Sequence, residues 1–296
     1  EGAESRRGRI EPMAGALLVV DAPSLLFRAF HALPSSITDD ADRPVNALLG
    51  TANMLLQEIE THEPRATVLC FGPDAAEYRV ELYEGYHAER PSVPDELAPQ
   101  FAACADFFGA FGFVVADHET LEADDLLGAY ARREAESGGE ALVLTGDRDM
   151  FQCATDAITI LYVRTGARGA DIVDPAEVRR RYGVDPVQVP DFIALRGDPS
   201  DGLPGAKGIG EKTAAELLQR HGSLEAALKG AVKEGKPSVR GALLADPDLL
   251  EAFKDIATLR DTEVDLPPDR PLDRGAAAAK AEEYGMNRLA RRLAPT

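Results

Sequence analysis

Short apolar runs alternate with stretches of helical spacing up to residue 174, and this alternation limits the fold more than any other feature. The runs are 17–20 (LLVV), 66–71 (ATVLCF), 113–115 (FVV), 141–144 (ALVL) and 158–163 (ITILYV). Helical spacing follows Asp21 as far as Phe30 and returns over 47–60, 101–111 and 122–135. Apolar strands interleaved with helices predict an α/β unit with a mainly parallel sheet and helices on both faces. From Pro175 to about residue 260 the strands stop, and short helices separated by Gly and Pro predict a second, all-helical unit. A Pro-rich linker within 261–275 leads to a last helix, 276–293, expected to return to the first unit. Residues 72–100, rich in Tyr, Arg and Pro, read as irregular, and 1–13 read as a loose leader with Met13 a candidate start.

In open α/β sheets, ligands bind beyond the carboxyl ends of the strands. Asp21 follows the first run; Glu122, Asp124 and Asp125 open the helix after the third; Asp147 and Asp149 follow the fourth. Taken singly, each reads as a helix cap or a first-turn acid that favours the helix dipole. Gathered at one sheet edge, they repel one another and call for a divalent cation. Oxygen donors without a Cys or His cluster point to Mg²⁺ or Mn²⁺ rather than zinc. Two such ions roughly 3.5–4 Å apart would activate water and stabilise the leaving oxygen of a phosphodiester.

The stretch GDPSDGLPGAKGIGEKTA, 197–214, carries a second device. Gly208-Ile209-Gly210 before a helix forms a tight hairpin whose backbone N–H groups can receive a phosphate. Lys207 and Lys212 add charge there without reading any base, so binding would be independent of sequence. Asp198 and Asp201, just upstream, could supply the far side of a metal pair.

The chain has a net charge of −19, whereas a nucleic-acid binder is ordinarily basic. Position resolves the conflict. Cations concentrate in the helical unit at Lys207, Lys212, Arg220, Lys229, Lys233, Lys236 and Arg240. The run Arg179, Arg180 and Arg181 either adds to them or is a solvated helix face. No apolar run approaches the roughly 18–20 residues of a membrane helix, and nothing has the build of a signal peptide. Three scattered cysteines, Cys70, Cys104 and Cys153, read as reduced residues of a cytoplasmic protein.

On these residues the chain resembles the 5′-3′ exonuclease and flap-endonuclease family, which includes the 5′ nuclease domain at the front of bacterial DNA polymerase I. The matching motifs are Val20-Asp21 with Arg28 seven residues on, the Arg79 to Tyr86 segment, Glu122-Ala123-Asp124-Asp125, TGDRD at 145–149, and 197–214. They occur in family order, and the chain stops where a polymerase would begin, so it resembles a stand-alone nuclease. The resemblance implies a PIN-like 5′ nuclease core over 14–174, with a helical arch at about 72–100. It implies a helix–hairpin–helix (H3TH) DNA-binding subdomain over 175–260.

The resemblance further implies a first metal at Asp21, Glu122 and Asp124, with Asp125 near both ions, and a second at Asp147, Asp149, Asp198 and Asp201. Arg28, Arg79 and Arg90 become candidate catalytic contacts to phosphate. Tyr86 and Tyr83 could stack on an unpaired base or simply pack the arch. Lys207, Gly208, Ile209, Gly210, Lys212 and Thr213 would grip the duplex, with a monovalent cation such as K⁺ on the hairpin carbonyls.

Three positions depart from the family pattern. Gly72 stands where a metal-binding Asp is expected; Asp74 is the nearest substitute, though a shift of two positions rarely preserves ligand geometry. His87 stands where the family has Lys. Imidazole, with an ordinary pKa of about 6.5, is a weaker clamp on phosphate at neutral pH, and a surface histidine on a loop is the alternative reading. Gly202 replaces the usual Asn. The expected function is a monomeric, structure-selective 5′ nuclease acting on DNA flaps, 5′ ends or junctions. A junction-binding protein weakened in catalysis and a PIN-like ribonuclease are the alternatives.

Overall fold

The computed structural model describes residues 15–164 and 169–294, and the expected leader over 1–13 lies outside them. The described residues contain β1 (Leu17–Asp21), β2 (Ala66–Phe71), β3 (Val114–Asp117), β4 (Ala141–Thr145), β5 (Ile158–Val163) and β6 (Ala170–Val173). They form a sheet in the order β3-β2-β1-β4-β5-β6. Its first five strands run parallel, and β6 closes one edge antiparallel to β5. Nothing in the sequence reading anticipated β6: its four residues, ADIV, carry too little apolar pattern, and pairing with β5 makes them a strand.

Parallel neighbours need crossovers, which the helices supply. Helices α1 (Ala22–Ala32) and α2 (Asn46–His62) join β1 to β2. A short α3 (Glu77–Leu82) and α4 (Ala98–Gly109) lead to β3, and α5 (Ala123–Glu136) leads on to β4. The stretch read as irregular therefore contains one helical turn and a half before α4. Both sheet faces are buried, which is why the strands read as continuous apolar runs. Leu17 and Val19 face Leu126, Leu127 and Tyr130 of α5. Leu18 and Val20 face the opposite layer, with Leu25, Leu55, Phe107 and Phe108.

The helical unit comprises α6 (Pro175–Tyr182), α7 (Val189–Arg196), α8 (Glu211–His221), α9 (Leu224–Gly230), α10 (Pro237–Ala245) and α11 (Pro247–Ala257). Its core shares one apolar cluster with the α5 face of the sheet, through Phe192, Ile193, Leu217 and Phe253. Gln152 stitches the two together: its Nε2 donates to Ala257 O at 2.9 Å, and Leu259 N donates to its Oε1 at 3.3 Å.

The single last helix expected over 276–293 is two helices, α12 (Arg274–Glu283) and α13 (Asn287–Leu293). Gly285, at φ +68°, takes a left-handed conformation that ends the first helix and turns the chain. Ala277, Ala281, Leu289 and Leu293 then pack against the α4 face of the core. Cys70, Cys104 and Cys153 are buried free thiols.

Candidate active site

The strand order reverses between β1 and β4, and that is where an open α/β sheet opens a crevice at its carboxyl edge. A cleft of about 910 Å³ lies there. Asp21 comes to it from the end of β1, Glu122 and Asp124 from the start of α5, Asp147 from the end of β4, and Asp198 and Asp201 from the loop after α7. Hydrogen bonds order one side. Asp21 caps α1, accepting from Ser24 N at 3.0 Å on Oδ1, while the fully buried Thr145 hydroxyl donates to its Oδ2 at 2.7 Å. Asp147 N donates to that hydroxyl at 2.9 Å, and Asp149 N donates to Asp147 Oδ1 at 2.8 Å. The helix-cap reading of Asp21 and its place in the cleft are thus both true.

Arginines surround the acids. Arg28 Nη2 donates to Gly146 O at 3.2 Å, filling room that a side chain at Gly146 would take. Arg90 pairs with Asp74 at 2.8 Å. Arg148 donates from Nε to Tyr162 Oη at 3.1 Å. Arg196 pairs with Asp198 at 3.0 Å and lies 5.3 Å from the centre of the Phe192 ring. Arg196 Nε and Tyr182 Oη are buried with no hydrogen-bond partner among the described residues. Thr145 and Arg148 stood in the TGDRD motif without a role of their own and Arg196 was not singled out from sequence; its signal was adjacency to the acids at 198–201.

Burial raises Asp21, Asp124, Asp147 and Asp149 above the ordinary carboxylate range. Neighbouring carboxylates push the last three further, and Asp147 reaches about 7. An all-oxygen donor set of crowded, buried carboxylates fits a hard divalent cation. Among the described residues no three of these side chains are drawn together tightly enough to hold an ion as placed. A hydrated Mg²⁺ keeps several waters and needs few protein ligands.

These shifts carry a stability prediction for the metal-free chain. An aspartate whose folded pKa is raised imposes no penalty below its unfolded value near 3.8, where both states are protonated. Its contribution to stability falls as pH rises from about 4 toward 7 and levels off above the folded pKa. In chelator, the thermal midpoint should therefore fall between pH 5.5 and pH 7.5, and saturating Mg²⁺ or Mn²⁺ should narrow the difference. A midpoint that is flat or rising in chelator, unchanged by Asp147→Asn, would refute the assignment.

Comparison with known proteins decides the family. Residues 16–183 match the family described as "5'-3' exonuclease, N-terminal resolvase-like domain", and 184–278 match "5'-3' exonuclease, C-terminal SAM fold". The chain belongs to the 5′-3′ exonuclease family. It is 37% identical to a 5′-3′ exonuclease of Streptomyces coelicolor, across 94% of this chain and 99% of that protein. It is 35% identical to a 5′-3′ exonuclease of Mycobacterium tuberculosis, across 95% and 97%. DNA polymerase I of M. tuberculosis is 36% identical over 81% of this chain, which spans only 27% of that protein's length. The bacteriophage T5 flap endonuclease, solved with DNA and metal ions, shares the fold at a TM-score of 0.68 and 17% identity, over 94% of this chain and 97% of that one.

Within this exonuclease-family cleft, several expected site residues take other roles. Asp125 is fully buried and does not line the cleft. It caps its own helix through Glu122 N and pairs with Arg79 at 3.0 Å. Arg79 is 3% exposed between Asp125 and Glu122, so it is no contact for phosphate. Tyr86 is buried, donates to Glu122 Oε2 at 2.9 Å and stacks on the His87 ring at 4.0 Å, which leaves no face for a base. Tyr83 packs edge-on against Phe253.

His87 is not a surface loop histidine. Its side chain is 5% exposed, with Nδ1 2.7 Å from Asp74 O and Nε2 3.2 Å from Asp201 Oδ1. Asp74 is drawn to Arg90 at the rim and remains more than half exposed. Gly202 has φ +76°, and a Cβ there would lie 2.5 Å from Gly85 O. The glycine thus lets the segment carrying His87 seat on the Asp201 loop. Gly202→Ala should cost about 1–3 kcal/mol, through left-handed backbone and displaced contact together; an unchanged denaturant midpoint would contradict this.

The hairpin leaves room for a ligand. Gly208 has φ +80°, and a Cβ at Gly208 or Gly210 would meet nothing within 4 Å. Lys207 and Lys212 are exposed, Thr213 is half-buried, and Gly210 precedes α8 as an N-cap that offers no side chain. Ile209 differs from its expected role: it is 4% exposed and its N–H donates to Ala206 O, so it anchors the hairpin rather than touching a duplex. Arg220 pairs with Glu234, and Arg179, Arg180 and Arg181 pair with Asp185, Glu177 and Asp171. The solvated-face reading fits Arg179 and Arg180, whereas Arg181 is half-buried over the rings of Phe151 and Tyr162. No helix among the described residues is long and apolar enough to cross a membrane.

Proposed function

We propose that the chain is a structure-selective 5′ nuclease that hydrolyses DNA phosphodiesters near 5′ ends and flap junctions and leaves a 5′-phosphate. The observation that carries this reading is a set of buried aspartates, Asp21, Asp124 and Asp147, that line the cleft at the sheet's switch point with Asp149 close by, their carboxyls raised by burial despite the pull of Arg28 on Asp21 and of Arg79 on Asp124. Asp198 and Asp201 flank them from the helical unit. When bound there, Mg²⁺ or Mn²⁺ would activate water and stabilise the leaving oxygen. Arg28, Arg148 and Arg196 orient the scissile phosphate, and Thr145 holds Asp21 and Asp147 in register. The open hairpin at Gly208 and Gly210, flanked by Lys207 and Lys212, receives the duplex backbone without reading bases. A K⁺ ion on the hairpin carbonyls belongs to the same reading.

The test is cleavage of a 5′-labelled flap duplex with Mg²⁺ or Mn²⁺, beside an Asp147→Ala control. Product above the control supports the reading. Binding of the flap without metal-dependent product would favour the junction-binding alternative, and faster cleavage of an RNA flap would favour the ribonuclease alternative.

A further inference from the structure

The acids in and beside the cleft differ in what faces them. Among the described residues Asp124 and Asp149 make no ion pair within 4.0 Å, although Arg79 attracts Asp124 from further off, whereas Glu122 and Asp125 close on that single buried guanidinium. Glu122 takes Ala76 N on Oε1 at 2.6 Å and Tyr86 Oη on Oε2 at 2.9 Å, while Arg79 Nη1 lies 2.7 Å from Oε2 as an ion pair without hydrogen-bond geometry. Asp125 takes Arg79 Nη2 at 3.0 Å and Arg260 N at 2.8 Å on Oδ1, and Tyr78 Oη at 3.2 Å on Oδ2. A carboxylate has about four lone-pair sites, and those of these two are largely committed to protein donors.

Arg79 reaches further. Its Nε donates to Ile256 O at 3.0 Å, so one side chain on α3 holds the start of α5 and the end of α11. Two aromatic contacts run alongside: Tyr83 meets Phe253 edge-on at 5.1 Å, and Arg260 lies over Tyr78 at 4.7 Å. The backbone agrees with this arrangement. A Cβ on Gly72 would lie 2.2 Å from Leu121 O and 2.9 Å from Glu122 Cα. The chain that carries Glu122 thus fills the space a side chain at position 72 would need, and Glu122 lies against Arg79.

We infer that Arg79 is a positioning residue, and that Glu122 and Asp125 are the two jaws of a clasp around it rather than metal ligands. The clasp fixes the helical unit, and the hairpin it carries, at a set distance from the cleft. Duplex held by the hairpin then presents one particular phosphodiester to Asp21, Asp124 and Asp147 in the cleft. Only the activity arm of the test rests on the nuclease reading above; metal binding and folding are measured without it.

The experiment compares Glu122→Gln, Arg79→Lys and Asp124→Asn with the unaltered full chain. Mn²⁺ binding is titrated calorimetrically, unfolding is followed by urea, and flap products are sized at single-nucleotide resolution. Glu122→Gln and Arg79→Lys are expected to bind as many Mn²⁺ equivalents as the unaltered chain, whereas Asp124→Asn loses one. Cleavage by the first two is expected to spread to neighbouring phosphodiesters, with kcat/KM reduced by about tenfold to a hundredfold, since a misplacement of ~1 Å can cost that much. A purely structural role would lower the urea midpoint and leave the cut site where it was.

Loss of a Mn²⁺ equivalent in Glu122→Gln would overturn the inference. If Glu122→Gln does not fold, Arg79→Lys decides: it keeps the charge, and a lost Mn²⁺ equivalent or an unmoved cut site there overturns the clasp. If the unaltered chain cuts no flap, the nuclease reading fails, while the calorimetry still decides whether Glu122 is a ligand.

Discussion

Replacing Asp147 by asparagine is expected to lower flap cleavage by about 1,000-fold while raising the stability of the metal-free protein. The rate loss follows from removing a charged oxygen donor from the set that would hold the catalytic ions, where electrostatic preorganisation supplies several kcal/mol. The stability gain follows from burial and repulsion. Burial first, and then Asp201, Asp21 and Asp198, push Asp147 to about 7. At neutral pH the folded chain therefore holds a charge it would shed. Asparagine keeps the oxygen that accepts from Asp149 N, so the turn after β4 should survive. At about 1.4 kcal/mol per pKa unit, discounted because the repulsion is shared, the gain is roughly 1–3 kcal/mol. Thermal unfolding in chelator and a single-turnover assay in Mn²⁺ measure the two sides. An asparagine variant that is both less stable in chelator and equally active would sink the assignment of Asp147.

Removing Arg79 is expected to be the most damaging single change to the fold near the cleft. Arg79→Ala leaves Glu122 and Asp125 buried with their counter-charge gone, and breaking a buried pair in this way costs about 3–5 kcal/mol. For a chain of this size that corresponds to a fall in thermal midpoint on the order of 10 °C. The triple variant Arg79→Met, Glu122→Gln, Asp125→Asn should recover most of the loss, because it removes charge from both sides of the pair. If Arg79→Ala unfolds within about 1 kcal/mol of the unaltered chain, the buried pair does not hold these segments together.

Much of the architecture was legible in the sequence, for a specific reason. Buried parallel strands must be apolar on both faces, so β1, β2 and β4 announce themselves as unbroken runs. β6 did not, because its four residues owe their conformation to β5 beside them. The break at Gly285 was also missed: a glycine inside a helical pattern reads as tolerated until a left-handed angle shows that the helix has ended. Family membership was equally legible, since motifs at strand ends and around the hairpin are local in sequence.

The roles of individual acids were not legible in the same way. Residue type and position after a strand determined that carboxylates would collect at the β1–β4 switch point, and that part holds for Asp21, Asp124 and Asp147. Which carboxylates face a cation already built into the protein was decided only by tertiary structure. Arg79 lies 46 residues from Asp125 along the chain, and the Ile256 carbonyl it also holds lies 177 residues from it. A carboxylate's charge is written in its own residue, but its counter-charge arrives across the fold. Spacing therefore located the acids, and only packing separated Glu122 and Asp125, closed on a buried guanidinium, from Asp21, Asp124 and Asp147, which open on the cleft.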